Sequence, residues 1–291
     1  MLTIVIPAYN AGSFIGETLQ SLESLGEGFA GAIVVDDGSS DDTRTVVGQH
    51  PQVRLVSQKN AGVSAARNHG LSLVETPFVW FLDADDILLP SAIEHALAAF
   101  AQYPDAPFVY GSIEEIDSFG KLLKKVPLQP GLQDLDMVLN GAIPRPSQTA
   151  FSTAHIRAAG GFDTSLSLCE DFELYTRLLA DGAEAYCHGH PAVRYRRHDG
   201  QATHRVSAMM QASLGVVRKA AGESDTAAAL ERSWERRLGG YIPIEVLRHL
   251  SAGRLEQARS ALMIYLRAFP ASALGTLDIM KKRLKGTRSR P

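Results

Sequence analysis

The first half of the chain alternates short apolar runs with segments of helical periodicity. The apolar runs are rich in β-branched and aromatic residues and are bounded by glycine, proline or acidic residues, which is typical of strands. These runs are Leu2 to Pro7, Ala32 to Asp36, Val53 to Ser57, Phe78 to Leu82 and Pro107 to Ser112. Strands that alternate with helices predict βαβ units. We therefore expect the α/β class, with a mostly parallel sheet flanked by helices.

The pattern changes near residue 206. Downstream, the sequence is rich in Ala, Leu, Arg and Glu and contains no strand-like run, which predicts a small all-helical region. The clearest helical spacing there runs from Arg254 to Phe269. The sequence thus predicts two domains, residues 1–205 and residues 206–291.

Charge and hydropathy narrow the class of protein. Lys and Arg total 29 against 32 Asp and Glu, a net charge of -3, whereas nucleic-acid partners usually require a basic excess. No run approaches the ~18 apolar residues of a membrane-spanning helix, so we expect a cytoplasmic protein. The basic stretch from Lys281 to Arg290 is interpreted as a solvated tail. Its alternative role is peripheral contact with anionic lipid at the inner face of the membrane.

An acidic group, Asp83-Ala84-Asp85-Asp86, follows the strand that ends at Leu82. In open α/β sheets, ligands bind beyond the carboxyl ends of the strands. Asp83 and Asp85 would face the same side if the strand geometry continued. Carboxylates hold Mg²⁺ or Mn²⁺ together with substrate phosphates. Helix capping would explain one aspartate but not three, so the motif favours a metal or ligand site.

A second polar group, Asp36-Asp37-Gly38, follows the second predicted strand, and Lys59-Asn60 follows the third. Asp37 is a candidate acceptor of hydrogen bonds from a base or a ribose. The alternative for this stretch is a turn followed by a helix cap at Asp41 or Asp42.

Five motifs in this order resemble those of the family 2 glycosyltransferases. They are Ile6 to Asn10, Val34 to Ser39, Asn60 to Gly70, Leu82 to Asp86, and Gly160 to Asp163 followed by Glu170-Asp171 and Arg177. The resemblance covers roughly Met1 to Thr203. It implies a GT-A-type, Rossmann-like fold with a nucleotide-binding half at about 1–110 and an acceptor half at about 111–205. The implied activity is transfer of a sugar from a nucleotide-diphosphate donor, with UDP favoured, to an acceptor hydroxyl.

The resemblance also implies site residues. The donor would contact Pro7, Tyr9, Asn10, Asp37, Lys59, Asn60, Gly62, Arg67, Asp83, Ala84 and Asp85. Asp85 matches the aspartate of the family's metal motif, and His198 is a second candidate ligand. The implied cofactor is Mn²⁺ or Mg²⁺, which would neutralise charge on the leaving diphosphate.

Glu170-Asp171 resembles the general-base pair of the family, and we assign the base to Asp171. A carboxylate beside the acceptor hydroxyl removes its proton as the new bond forms. Attack opposite the leaving diphosphate inverts the anomeric centre. Helix capping is the alternative role for Asp171. The Gln-x-x-Arg-Trp motif of processive relatives is absent from Gln201 to Arg205, which indicates single additions.

The family resemblance implies a saccharide or lipid-linked saccharide acceptor and a role in cell-surface polysaccharide or glycoconjugate biosynthesis. Two alternatives remain. A haloacid-dehalogenase-type phosphatase would use Asp83 as nucleophile and Asp85 as acid, but would leave Glu170-Asp171 without a role. A non-catalytic nucleotide- or sugar-binding module would need no base.

Overall fold

The computed structural model describes residues 1–198, residues 206–221 and ten single positions between 234 and 263. Contacts divide the chain into two units, Met1–Asp199 and Gly200–Pro291, so the domain boundary after residue 205 stays a prediction. The second unit contributes one long helix, α8 (Val206–Ala221). The basic tail from Lys281 lies outside the described residues. No described helix is long and apolar enough to cross a membrane.

The first four strands of the sheet are parallel. They are ordered β3-β2-β1-β4 and comprise β1 (Leu2–Ala8), β2 (Phe29–Asp36), β3 (Val53–Ser57) and β4 (Phe78–Phe81). Every residue of β1 is buried, as expected for a parallel strand covered on both faces. The helices between these strands are α1 (Ile15–Leu22), α2 (Thr43–Val47) and α3 (Val63–Ser72). This half confirms the α/β class and the flanking helices.

The second half of the sheet is more mixed than the expected mostly parallel arrangement. Its order beyond β4 is β9-β6-β10-β5, with β7 on β6 and β8 on β10, and only β6 and β10 pair in parallel. The strands are β5 (Ile87–Leu88), β6 (Phe108–Ile116), β7 (Leu122–Val126), β8 (Gly131–Gln133), β9 (Thr149–Ser152) and β10 (Ala185–Arg196). A short connection, such as that between β6 and β7, allows only antiparallel pairing.

The remaining helices of the first unit position the site. They are α4 (Ala92–Gln102), α5 (Leu135–Leu139), α6 (Thr153–Ala158) and α7 (Glu170–Leu178). A 3-10 turn, Pro146–Gln148, precedes β9. Trp80 in β4 is fully buried, and its indole Nε1 donates to the Ser147 carbonyl at 2.9 Å. This contact ties β4 to the turn.

Asn68 on α3 joins the two halves of the first unit. Its amide donates to the Phe162 carbonyl and accepts from the Phe162 N–H, both at 2.8 Å. The adjoining Gly161 has φ +73, and a Cβ there would lie 2.5 Å from the Asn68 amide oxygen. On the other side, Arg177 of α7 donates to the carbonyls of Ala159 and Gly161 and pairs with the buried Glu173. The loop that leads into α7 is therefore fixed from two helices.

Asn68→Ala is expected to lower the free energy of unfolding by about 2 kcal/mol, because two hydrogen bonds are lost and two partly buried backbone groups lose their partner. Urea unfolding measures this change. Ser72→Ala on the exposed face of the same helix is the control and is expected to stay within about 0.5 kcal/mol of the native protein. Equal stability of both variants would show that the two Asn68–Phe162 hydrogen bonds contribute nothing to the free energy of unfolding.

Candidate active site

Three carboxylates converge directly after β4. One oxygen from each of Asp83, Asp85 and Asp86 lies within 4.8 Å of the other two. The strand ends at Phe81, so a turn rather than strand alternation brings these groups together. Asp86 was not among the predicted site residues. The only signal for it in the sequence was its position as the third aspartate of the run.

Burial disfavours the charged form of the carboxylates in this acidic cluster. Burial raises the pKa of the Asp86 carboxyl well above its usual range, and Asp85 and Asp83 raise it further. Burial and Asp83 also raise the pKa of Asp85, while the contact with His198 opposes the rise. Nearby carboxylates in a poorly solvated position favour protonation or a bound cation.

Arg196 supports the acidic cluster from inside the protein. Its side chain is fully buried, and its Nε donates to the Asp85 carbonyl at 2.8 Å. Its backbone N–H donates to Asp86 Oδ1 at 2.9 Å, and its Nη2 contacts Glu17 Oε2 at 2.6 Å. The sequence did not predict this role, because a long cationic side chain is usually exposed.

His198 lies at the acidic cluster as well. Its Nε2 is 2.8 Å from Asp85 Oδ2, and its ring packs 4.8 Å from that of Phe14. The two residues predicted to bind a metal are therefore brought into contact, and their metal role stays a prediction.

Arg67 connects the acidic cluster with Glu170 of the predicted general-base pair, Glu170-Asp171. Its guanidinium donates to Asp83 Oδ1 and to Glu170 Oε1, each at 2.8 Å, and lies 5.1 Å from the centre of the Phe162 ring. Burial disfavours the charged form, but the two carboxylates raise the pKa of Arg67 above its usual value. Arg67 is thus occupied by groups of the protein, and its predicted contact with the donor stays a prediction.

Asp171 lies beside this bridge, in the first turn of α7. The helix begins after Cys169, a buried cysteine that forms no disulfide and has φ 61, and Asp171 Oδ1 accepts the Phe172 N–H at 2.8 Å. Burial and the neighbouring Glu170 raise the pKa of Asp171 to about 7, although Phe172 and Arg67 oppose the rise. A carboxylate with this pKa is matched to proton transfer near neutral pH.

The Asp37 side chain orders the loop after β3. Its carboxylate accepts from Gln58 Nε2 at 2.8 Å, from Ala61 N at 2.9 Å and from Gly62 N at 2.8 Å. Lys59 and Asn60 are exposed on this loop. The predicted contact with a nucleobase would be a further bond, which the lone pairs of a carboxylate permit.

The residues after β1 lie at the same edge of the sheet. Asn10 has φ 50, and its side-chain oxygen accepts from Ser40 N at 2.9 Å. Tyr9 is 55% exposed. The side chains of Pro7 and Ala84 are buried, so these two predicted residues have only backbone atoms to offer a ligand.

Comparison with known proteins identifies the family of the chain. The model of "Glycosyl transferase family 2" matches residues 3–151. The chain belongs to glycosyltransferase family 2. The resemblance seen in the sequence is confirmed, and the phosphatase alternative no longer applies to this glycosyltransferase.

Two curated relatives illustrate the extent of the match. The succinoglycan biosynthesis protein ExoU of Rhizobium meliloti is 29% identical over an alignment of 257 positions, and the match covers 79% of this chain and 73% of that protein. Chondroitin synthase of Escherichia coli is 29% identical over an alignment of 186 positions, and the match covers 62% of this chain. The matched part spans only 27% of that synthase.

Solved structures share the fold of this glycosyltransferase. The crystal structure of S. aureus TarS 1-349 in complex with UDP-GlcNAc has a TM-score of 0.63 and 15% identity, with 92% of each chain covered. A second crystal structure of S. aureus TarS 1-349 has a TM-score of 0.61. These similarities confirm the GT-A-type fold.

Glu170→Gln is expected to lower the pKa of Asp171 below about 7, because the change removes a neighbouring negative charge and leaves Arg67 less neutralised. The pKa is measured by NMR titration of metal-free protein carrying ¹³C-labelled aspartate. Glu184→Gln, at an exposed position, is the control and should leave the titration unchanged. The same midpoint in both variants would contradict the assigned cause.

Proposed function

We propose that the protein transfers one sugar, with inversion, from a UDP-sugar to an acceptor hydroxyl. The observation that carries the proposal is the Arg67 bridge, in which one buried guanidinium holds both Asp83 and Glu170 at 2.8 Å. The bridge holds Asp83 of the acidic cluster close to Glu170, which supports a donor site and a general base lying side by side, as transfer between a diphosphate donor and a hydroxyl requires.

The donor would occupy the edge formed by the ends of the parallel strands. The exposed ring of Tyr9 is available for stacking on a base, and Lys59 is exposed on the loop ordered by Asp37. The similar fold of TarS, which was crystallised in complex with UDP-GlcNAc, supports a UDP-sugar as the donor. Asp83 would then approach the ribose.

The acidic cluster fits a divalent cation. Its three carboxylate oxygens lie within 4.8 Å of one another, and hard oxygen ligands suit Mg²⁺ or Mn²⁺. Asp85 and Asp86, whose pKa values are raised, would be stabilised as carboxylates by such a charge. When bound, the ion would supply positive charge to the leaving diphosphate. His198, in contact with Asp85, is the further candidate ligand.

Asp171 would act on the acceptor. Its carboxylate removes the proton of the attacking hydroxyl as the bond to the anomeric carbon forms. The proton stays on Asp171 until solvent removes it, and the diphosphate leaves from the opposite face of the sugar. No covalent sugar–protein intermediate is needed, and Glu170 keeps Arg67 in place beside the base.

The acceptor would be a saccharide or a lipid-linked saccharide in the synthesis of cell-surface polysaccharide or glycoconjugate. The names of the relatives support this class, since one is a succinoglycan biosynthesis protein and the other a chondroitin synthase.

Asp85→Asn is expected to weaken the metal-dependent binding of UDP, since it removes one charged oxygen from the cluster. Calorimetry with UDP, GDP, dTDP and CDP, each with and without Mn²⁺ or Mg²⁺, measures this binding. Asp105→Asn, at an exposed position before β6, is the control. If Asp85→Asn bound UDP and metal as the native chain does, the metal site would be misassigned.

Asp171→Asn is expected to slow sugar transfer by about 10²–10⁴-fold while leaving UDP affinity unchanged, because the amide cannot accept the proton. Transfer to acceptor and calorimetric UDP binding are measured on the same preparation. In the native protein, kcat/KM should rise with pH through about 7, as the base loses its proton. Unchanged transfer in the variant would rule out Asp171 as the base, and UDP binding without turnover in the native chain would favour a binding module.

A further inference from the structure

The acceptor half contains a pocket of about 100 Å³ beside the 3-10 turn. Ile113, Val126 and Ile143 contribute to its apolar wall, and Arg145 and Gln148 supply polar groups. We call it the β6–β7 pocket, since Ile113 and Val126 are paired residues of those strands. An apolar wall with a few polar groups is the usual composition of a ligand site.

The 3-10 turn ties this pocket to the candidate active site. Ser147 Oγ accepts the Asp83 N–H at 3.0 Å. On the other side, Thr149 Oγ1 donates to the Arg145 carbonyl at 2.8 Å, and Tyr175 Oη of α7 donates to Thr149 Oγ1 at 3.1 Å. The segment from Arg145 to Thr149 therefore contacts the acidic cluster, helix α7, which carries Asp171, and the pocket.

Three cations lie along the face of the sheet that carries the pocket. The guanidinium of Arg145 is 4.5 Å from the centre of the Tyr195 ring, and that of Arg197 is 5.4 Å from the same ring. Arg197 and Lys124 both pair with the buried Glu115, at 3.3 and 3.4 Å. We call Arg145, Arg197 and Lys124 the cation row.

The cation row carries more positive charge than its partners neutralise. Glu115 is the only carboxylate that it contacts within residues 1–198, and no described residue forms an ion pair with Arg145. The whole chain has a net charge of -3, so the excess is local. A guanidinium presents a planar fork of donors that matches a carboxylate or a phosphate.

The opposite face of the same strands has two cations for one carboxylate, against three for one in the cation row. Successive strand residues point to opposite faces, so Lys125 lies across the sheet from Lys124. Lys125 and Arg194 pair with Glu114 at 3.1 and 3.2 Å. The two lysines are 68% and 59% exposed, respectively. Lys125 is therefore a suitable control for Lys124, because the two are similarly exposed and only Lys124 lies on the pocket face.

We infer that the β6–β7 pocket and the cation row bind the acceptor, and that this acceptor is an anionic saccharide carrying carboxylate or phosphate groups. The apolar wall would pack against sugar rings, and the cations would pair with the acidic groups. The pocket residues Arg145 and Gln148 flank Ser147, whose Oγ accepts the Asp83 N–H at 3.0 Å, so the pocket lies close to the acidic cluster. The inference rests on the proposed function and specifies its acceptor.

The test measures binding of three probes to the full chain in the presence of UDP and Mn²⁺. They are a hexagalacturonate, its neutral methyl ester and a glycerol-phosphate oligomer of equal charge. At least one anionic probe should bind at least about tenfold more tightly than the neutral probe, and added salt should weaken that binding. The two anionic probes separate a carboxylate acceptor from a phosphate acceptor.

Matched variants locate the binding surface. Arg145→Gln and Lys124→Gln should each weaken anionic-probe binding by about threefold to tenfold, whereas Lys125→Gln should stay within about twofold of the native chain. UDP binding should be unchanged in all three variants. If the native chain did not bind UDP, the proposed function would be refuted, whatever the oligomer results.

Three outcomes would overturn the inference. They are equal binding of neutral and anionic probes, equal weakening by Lys124→Gln and Lys125→Gln, and failure of both anionic probes to bind. Binding to phosphatidylglycerol vesicles but to neither oligomer would likewise overturn it and would assign the cation row to a membrane surface.

Discussion

The buried guanidinium of Arg67 is the constraint on which the candidate site depends. A buried charge is unfavourable unless it is paired and hydrogen-bonded, and here the partners come from two distant parts of the chain, Asp83 and Glu170. Each carboxylate in turn needs the cation, because Asp171 and the acidic cluster add further negative charge nearby. The bridge therefore fixes the loop after β4 against the start of α7. Breaking a buried pair of this kind typically costs about 3–5 kcal/mol.

Arg196 acts on the acidic cluster in a similar way from within the fold. Arg67 contacts the Asp83 side chain, while Arg196 contacts the Asp85 carbonyl and, through its backbone, Asp86 Oδ1. The two arginines hold the loop without neutralising all its carboxylates, so the raised pKa values of Asp85 and Asp86 persist. On the proposed function, a loop held in this way would be preorganised for a cation, since little reorganisation would be required on binding.

The parallel half of the fold and the edge that carries the site follow from local sequence signals. Continuous apolar runs bounded by turn residues define β1 and β4, and parallel strands bring their carboxyl ends to one edge. The extent of β10 does not follow, because His188-Gly189-His190-Pro191 interrupts its pattern where the register shifts against β6. The burial of Arg67 and Arg196 is likewise invisible in the sequence, since it depends on partners far along the chain.

The two halves differ in how tightly the fold constrains their polar residues. Asp37, Asn10 and Asp83 lie at the ends of buried parallel strands, and their side chains hold neighbouring loops by several hydrogen bonds. Lys124 lies on an edge strand and Arg145 before a short turn, where substitutions disturb few backbone contacts. On the proposed function, donor recognition is therefore coupled to the stability of the sheet, whereas acceptor recognition can change with little effect on folding. This separation would let one architecture serve different acceptors.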